Sequence, residues 1–400
     1  MVMGGWMLIM HNGDVTFNGQ IFSQKAFDAY KNIGLPTKKD EKWKYLQANW
    51  LKGTEWNLAP CMSLENSAES NLMCFDEGKC SYHLPKGFVL SLEDNIGETV
   101  FDDGVRQLID AWSPYKLILK IPEGSHGETI QVRFRNKVHK LMMPLVIEIR
   151  CAKNSSVNIV EDVALEDGAR LVSWSVCMDE NSSLVWSKHE SSTNESYSLS
   201  FLEASLDSEA YFEQGAFIDH TVYTKSLGYI QLNDKKAHAE LNTVMISSCK
   251  QRCDYQVQIK HSSGQTTSNQ FVRSLASDGS AQVFNSRVVV DPMAQKVVSQ
   301  QQHKSLIMQP SAKIYSKPEL EIYADDVKCN HGSAIGQLDK TGLFYLMSRG
   351  LSLEVSKSLL MGAFLKEVSS RWSTIINQHL ADKLDKSISI SAKDGFHVST

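Results

Sequence analysis

Between about Leu117 and Leu338 the chain divides into many short runs in which apolar and polar residues alternate. Among them are Ile130 to Phe134, Leu145 to Ile149, Ser156 to Val160, Leu171 to Val176, Leu184 to Ser187, Tyr255 to Ile259 and Val288 to Val290. Alternation with a period of two predicts strands with one face buried. Polar turn clusters separate the runs, such as Lys153-Asn154-Ser155-Ser156, Glu180-Asn181-Ser182-Ser183 and Asp278-Gly279-Ser280. No helical pattern lies between them, which excludes a βαβ sheet and leaves a sandwich, a barrel or a β-solenoid. Near-regular spacing, and Ser, Asn, Gln and His interleaved within the strands, favour a solenoid whose rungs pair with the rungs above and below. Periodicity by itself leaves a sandwich open.

Both ends of the chain carry the longer helical period. Ile21, Phe22, Ala26, Phe27 and Tyr30 line one face of a helix predicted between Gln20 and Lys31, ended by Leu35-Pro36. Lys38 to Leu51, with Trp43, Tyr45, Leu46 and Trp50, predicts a short helix docked by its aromatic residues. Residues 53–116 are punctuated by Gly, Pro, Asn and Ser and predict a linking region with short strands such as Phe88 to Leu92. Beyond Leu338, Ser352 is a candidate N-cap. Leu360, Phe364, Leu365, Val368, Trp372, Ile375 and Ile376 then form an apolar stripe at helical spacing. That stripe either packs on the β-domain or is offered to a partner. The predicted organisation is an N-terminal helical region over 1–52, the linking region over 53–116, a β core over 117–338 and a C-terminal helical domain over 339–400.

Composition narrows the function. Four hundred residues, 42% hydrophobic with a mean hydropathy of -0.26, suffice for one large core with flanking elements. The 41 basic and 46 acidic residues are spread along the chain, without a Lys or Arg run that would track a phosphate backbone, so nucleic acid is not an expected partner. No apolar stretch approaches the roughly 20 residues of a membrane span, and a membrane is not expected as a partner either. Met1 to Met10 is apolar but lacks the basic flank and small-residue cleavage site of a signal peptide; Met10 is a candidate true start. Eight irregularly spaced cysteines do not make a disulfide framework, and a reducing cytoplasm is the expected location.

One long segment is specific. It runs from Lys317-Pro318-Glu319-Leu320 through Asp325-Asp326-Val327-Lys328-Cys329-Asn330-His331-Gly332 and Gly336-Gln337-Leu338-Asp339 to Ser348-Arg349-Gly350. With His261 to Gln270, Ala281 to Val290, and Pro36, Glu41, Trp43 and Tyr45, it resembles the SufB/SufD family of iron–sulfur cluster assembly scaffolds. The Cys-x-His-Gly arrangement followed by Gly-Gln-Leu-Asp is like the SufD branch. Asn330, Ser333, Ala334 and the stretch Gln301-Gln302-His303-Lys304 depart from the usual family residues. The strong match covers about residues 255 to 370.

The resemblance implies a right-handed parallel β-helix with helical regions at both ends. It also implies a complex with SufB and the ABC-type ATPase SufC, in which the C-terminal helices between Ser352 and Leu384 hold SufC. A transient iron–sulfur cluster would form at the SufB junction, with none permanently bound. Self-association in the absence of those partners is left open, as are cluster type and iron donor.

Cluster chemistry needs soft thiolates with an occasional imidazole, and ligation labile enough to release the product. Cys329 and His331, two residues apart, would project to one face of a strand. By pattern alone the pair is weak evidence, and a half-buried thiol with a hydrogen-bonded imidazole is the plainer reading; the resemblance reverses this and implies that His331 is the cluster ligand and Cys329 a less direct neighbour. Asp325-Asp326 would alternate across a strand, leaving at most one to face metal, and solvation or turn capping is the plainer reading. Cys249 and Cys253 fit a turn between strands; Cys61, Cys74, Cys80 and His83 are too irregularly spaced for a metal site. No phosphate loop, nucleophile elbow, His-Glu-x-x-His or dinucleotide fingerprint occurs. The chain is therefore expected to be a non-catalytic scaffold whose ATPase is another subunit. The alternatives are a β-helix carbohydrate-active enzyme, which would need two carboxylates in one groove, and a metal-free structural interaction subunit.

Overall fold

Each alternating run becomes one strand, and successive core strands switch between two sheets. The computed structural model describes residues 9–12, 15–18, 20–52, 54–97, 99–192, 195–219 and 221–393, with side chains from residue 20 to residue 392; Met1 to Leu8 lie outside them. In the first sheet Leu141–Cys151, Gly168–Met178, Ser196–Leu206, Tyr223–Leu232, Arg252–His261, Ala281–Val290 and Lys313–Ile322 stack in parallel. The second sheet stacks Glu128–Asn136, Ser156–Leu165, Ser183–Ser192, Tyr211–Asp219, His238–Ser247, Thr267–Ala276, Val297–Ile307 and Val327–Gly336. Pairing is in register over long separations: Met142 opposes Ala169, 27 residues on, and Ala281 opposes Lys313, 32 residues on. The result is a parallel β-solenoid of about eight turns.

The polar clusters seen in the sequence supply the corners. Asn154, Asn181 and Asp278 adopt left-handed backbone with φ of 56°, 55° and 46°, a conformation that Asn and Asp tolerate because their short side chains bond locally. Between the corners, inward residues such as Trp174, Trp186, Phe212, Ile218 and Phe284 form one continuous apolar core.

The outer faces of the two sheets are covered by different ends of the chain. Helix α1 (Gln24–Ile33), capped by Ser23, and helix α2 (Gly104–Trp112), capped by Asp103, pack on the early rungs of the first sheet against Met142, Val146, Leu171, Leu199 and Phe201. The helix expected over Lys38 to Leu51 is instead two 3₁₀ turns, Glu41–Trp43 and Asn49–Leu51, held by their aromatics as expected: Trp43 Nε1 donates to Asp103 Oδ2 at 2.6 Å, and Tyr45 stacks on Tyr315. Residues 53–116 hold more order than short strands, since α2 lies among them. The hairpin Leu72–Asp76 and Lys79–His83 adds to the early end of the second sheet.

Helix α3 (Lys340–Ser348) buries none of its residues. Helices α4 (Leu353–Ser369) and α5 (Thr374–Lys393) fold back over the second sheet. Ser352 caps α4 by accepting from Val355 N. The apolar stripe resolves mostly as self-packing: Leu365, Val368, Trp372 and Ile376 are buried against Phe217, Val244, Phe271 and Leu275. At Gly215 the approach of α5 is so close that a Cβ would lie 2.3 Å from Ile376 Cγ2.

Candidate functional site

The early end of the solenoid is capped and the late end is open. Among the described residues Lys313–Ile322 and Val327–Gly336 are the last strands of their sheets, each with one unpaired edge. Unpaired N–H and C=O groups along such an edge are a template for another chain. Tyr323, 62% exposed, and Ile335, 46% exposed, add apolar surface there.

Cys329 and His331 lie on the terminal strand, and their shared face is the interior one. Val327 and Cys329 pack against the solenoid core, and His331 follows with the same parity. Through the register, Cys329 caps the column Val157, Leu184, Phe212, Ala239, Ser268, Ser299, and His331 caps the column Ile159, Trp186, Gln214, Leu241, Gln270, Gln301. With no rung above it, His331 is exposed, while Cys329 stays half-buried. Burial raises the Cys329 thiol pKa, opposed by a hydrogen bond from the Ser299 backbone.

Below this strand the interior turns polar. His261 is buried, with Nδ1 2.8 Å from Thr266 Oγ1 and Nε2 2.9 Å from Ser268 Oγ, and Ser268 and Ser299 share a hydrogen bond at 2.9 Å. Gln301 Nε2 donates to Ser286 Oγ at 2.9 Å, and Ser286 donates to Gln270 Oε1. His303 Nδ1 lies 2.8 Å from Ser316 Oγ, which bonds Ser333 at 2.7 Å. Burial pushes the pKa of His261 down to about 4 and that of His303 to about 3, so both rings are neutral structural partners. The signal for this lining was present as Ser299, Gln301, His303 and Ser305 at period two, but reading them as interior requires the register.

The remaining candidates separate. Asp325 and Asp326 sit in the bend before the terminal strand, both exposed, so they do not alternate across a strand; Asp326 bonds through its backbone to Lys296 and Gln295. Cys249 is exposed at a turn and Cys253 is buried in the following strand. Cys61 and Cys80 meet in a hydrogen bond that favours the Cys61 thiolate and raises the pKa of Cys80, while Cys74 is half-buried and His83 exposed. Among the described residues no three His, Cys, Asp or Glu side chains converge to hold a metal ion. Any metal held by Cys329 and His331 would need further donors from outside the chain.

A second titratable cluster lies far from this end, under α5. Asp162 accepts from Lys383 and from His379 Nε2 at 3.1 Å, and His189 Nε2 lies 3.1 Å from Asp219 Oδ1. Burial opposes ionisation of Asp162, but these partners hold its carboxyl well below the usual range. The cluster joins residues more than 200 positions apart, beyond any local sequence signal, and its lysine already occupies the space among the donors. It fastens α5 to the sheet.

The family model for the SUF system FeS cluster assembly SufBD core domain matches residues 134–364, the solenoid from its first full rung into α4. The iron–sulfur cluster assembly protein SufD of Escherichia coli is 32% identical over 167 residues, 42% of this chain and 38% of that protein. A SufBD family protein of Synechocystis is 38% identical over 112 residues, 28% and 24% of the two chains. The chloroplastic protein ABCI7 of Arabidopsis thaliana is 34% identical over 154 residues, 38% and 31%. The matched segments thus span between about a quarter and two fifths of these relatives.

Proposed function

The chain belongs to the SufBD family, and on that footing we propose that it is a scaffold subunit for iron–sulfur cluster assembly, in which His331 offers a ligand to a nascent cluster shared with a SufB-type partner. The observation that carries this reading is the position of Cys329 and His331 on one face of an unpaired terminal strand. Two donors there cannot complete a cluster's ligation, but a partner strand along the open edge would bring more. An imidazole binds iron only when neutral and less tightly than a thiolate, which suits a site that releases its product.

The same reading gives the ATPase partner, SufC, a place. With the stripe of α4 and α5 turned inward, the apolar surface left for docking is that of α3 and the start of α4: Phe344, 73% exposed, with Tyr345, Met347, Val355 and Leu359. Truncation from Leu351 is a poor test of docking, because it would strip the cover from Phe217, Val244 and Leu275.

The test is coexpression with candidate SufB and SufC, purification through a tag on this chain, and assay of iron and sulfide in complexes of equal stoichiometry. His331→Ala should leave fold and partners intact and lower both; Cys329→Ala should be milder, since the imidazole and a partner thiolate still bridge iron. Full cluster yield from His331→Ala would leave the chain as a metal-free platform.

A further inference from the structure

Directly beneath His331 in the solenoid is Gln301, its Cα partner one rung down. Gln301 is 1% exposed, and its amide is oriented: Nε2 donates to Ser286 Oγ at 2.9 Å, and Ser286 is itself committed to Gln270 Oε1. The opposite atom, Oε1, is buried without a hydrogen-bond partner among the described residues, His331 included. Buried carbonyl oxygens are ordinarily satisfied, so an orphaned one needs a reason. A carbonyl has two lone pairs. The Gln270 amide on the rung below is also unpartnered at Nε2 and can take one of them; the other is available to the rung above, about 4.8 Å away.

We infer that Gln301 is the positioning residue for His331: a turn of the His331 ring brings its N–H onto the free Oε1, which then holds the imidazole with its other nitrogen facing out of the solenoid mouth. A ligating histidine needs one nitrogen deprotonated and aimed, and which nitrogen that is follows from the hydrogen bond made by the other. Here the amide ladder Gln270–Gln301 makes that choice from inside the protein. The inference rests on the ligand reading of His331 given above but is separable from it.

The test uses the full chain with ¹⁵N-labelled histidine, the His331 signals being identified by their loss in His331→Gln. Long-range proton–nitrogen correlation spectra at neutral pH should show one dominant tautomer for His331. Gln301→Met, close in shape but without an acceptor, should give a mixture, and Gln301→Glu, which restores an acceptor, should return the single tautomer. Melting curves check that each variant is folded; if Gln301→Met does not fold, Gln301→Leu replaces it. In the coexpressed complex, Gln301→Met should weaken iron retention on the order of 10-fold. An unchanged tautomer in the acceptor-free variant overturns the role of Gln301, even if His331→Ala abolishes cluster recovery. Full recovery with His331→Ala overturns the ligand reading instead, whatever the tautomer shows.

Discussion

The early and late rungs of two neighbouring interior columns share one strand geometry and differ in chemistry, beside an early interior that also buries the ion-paired Glu161, Arg170, Lys188 and Glu190. In the columns that end in Cys329 and His331, the early positions are Val157, Leu184, Phe212 and Ala239 in one and Ile159, Trp186 and Leu241 in the other, interrupted only by Gln214. From Ser268 and Gln270 onward every position in both is polar or a metal-binding type. An apolar column is stabilised by burial wherever it ends. A polar column is tolerated only while each group finds a partner, and in the final rungs Gln270, Gln282 and Gln301 each retain an unpaired buried atom. The lesson is that these two columns are held by apolar burial in the early rungs and by side-chain hydrogen bonds in the late ones, where the terminal strand leaves the polar groups nearest to solvent.

The largest expected effect sharpens that contrast. Phe212, fully buried in the early interior, replaced by Asp should lower unfolding stability by about 3–5 kcal/mol, from lost packing and an unpaired buried charge. The same change at Ile335 in the terminal strand should cost within about 1 kcal/mol. Urea unfolding of both variants decides, and equal losses would erase the distinction.

Acid should separate the two ends next. His261 and His303, kept neutral by burial, have folded pKa values of about 4 and about 3 against 6.5 unfolded. As pH falls below 6.5 the unfolded chain takes up protons that the folded chain refuses, so the stability they contribute is full above 6.5 and lost toward pH 4, on the order of 2–3 kcal/mol for His261. His189, under α5, runs the other way. Burial works against its charge, but hydrogen bonds to Asp162 and Asp219 raise its pKa. Its contribution is present below 6.5 and is lost as pH rises through the raised folded value. Hydrogen exchange at pH 5 against pH 7 should therefore show strands 252–307 loosening before strands 156–192. Uniform loosening would break the comparison.

A smaller effect is expected where α5 closes the early rungs. Gly215→Ala should push Ile376 outward and cost roughly 1–3 kcal/mol, read as faster exchange in α5 with the terminal strand unaffected. Smallest in stability is Phe344→Asp on exposed α3, within about 0.5 kcal/mol. Its effect should be on capture of the proposed ATPase partner, and normal capture would remove α3 from the proposed docking surface.

Much of the outline is local and was readable from residue order. The period-two runs, the Asn and Asp corners and the Ser352 cap depend on neighbours a few positions away, as does the parity that puts Cys329 and His331 on one face. Helix α2 did carry a local signal, Val105, Leu108, Ile109 and Trp112 at helical spacing behind the Asp103 cap, but it is only nine residues long and lies within the Gly-, Pro-, Asn- and Ser-punctuated segment that predicted a linking region. The segment from Lys38 to Leu51 kept its docking aromatics but not the helix, since packing of Trp43 and Tyr45 on the sheet, not propensity, shapes it.

By itself, then, the sequence determined the strand content, the helical ends and the pairing of a thiol with an imidazole on one strand face. Only the tertiary structure decided that this face is the interior one, that it lies at the open end, that the C-terminal stripe turns inward and that Gln301 stands beneath His331. Those relations join residues about 30 positions apart in the rungs and more than 150 apart at the α5 contact. They are set by register between stacked backbones and by which surfaces remain to be buried, and neither is encoded in any local period.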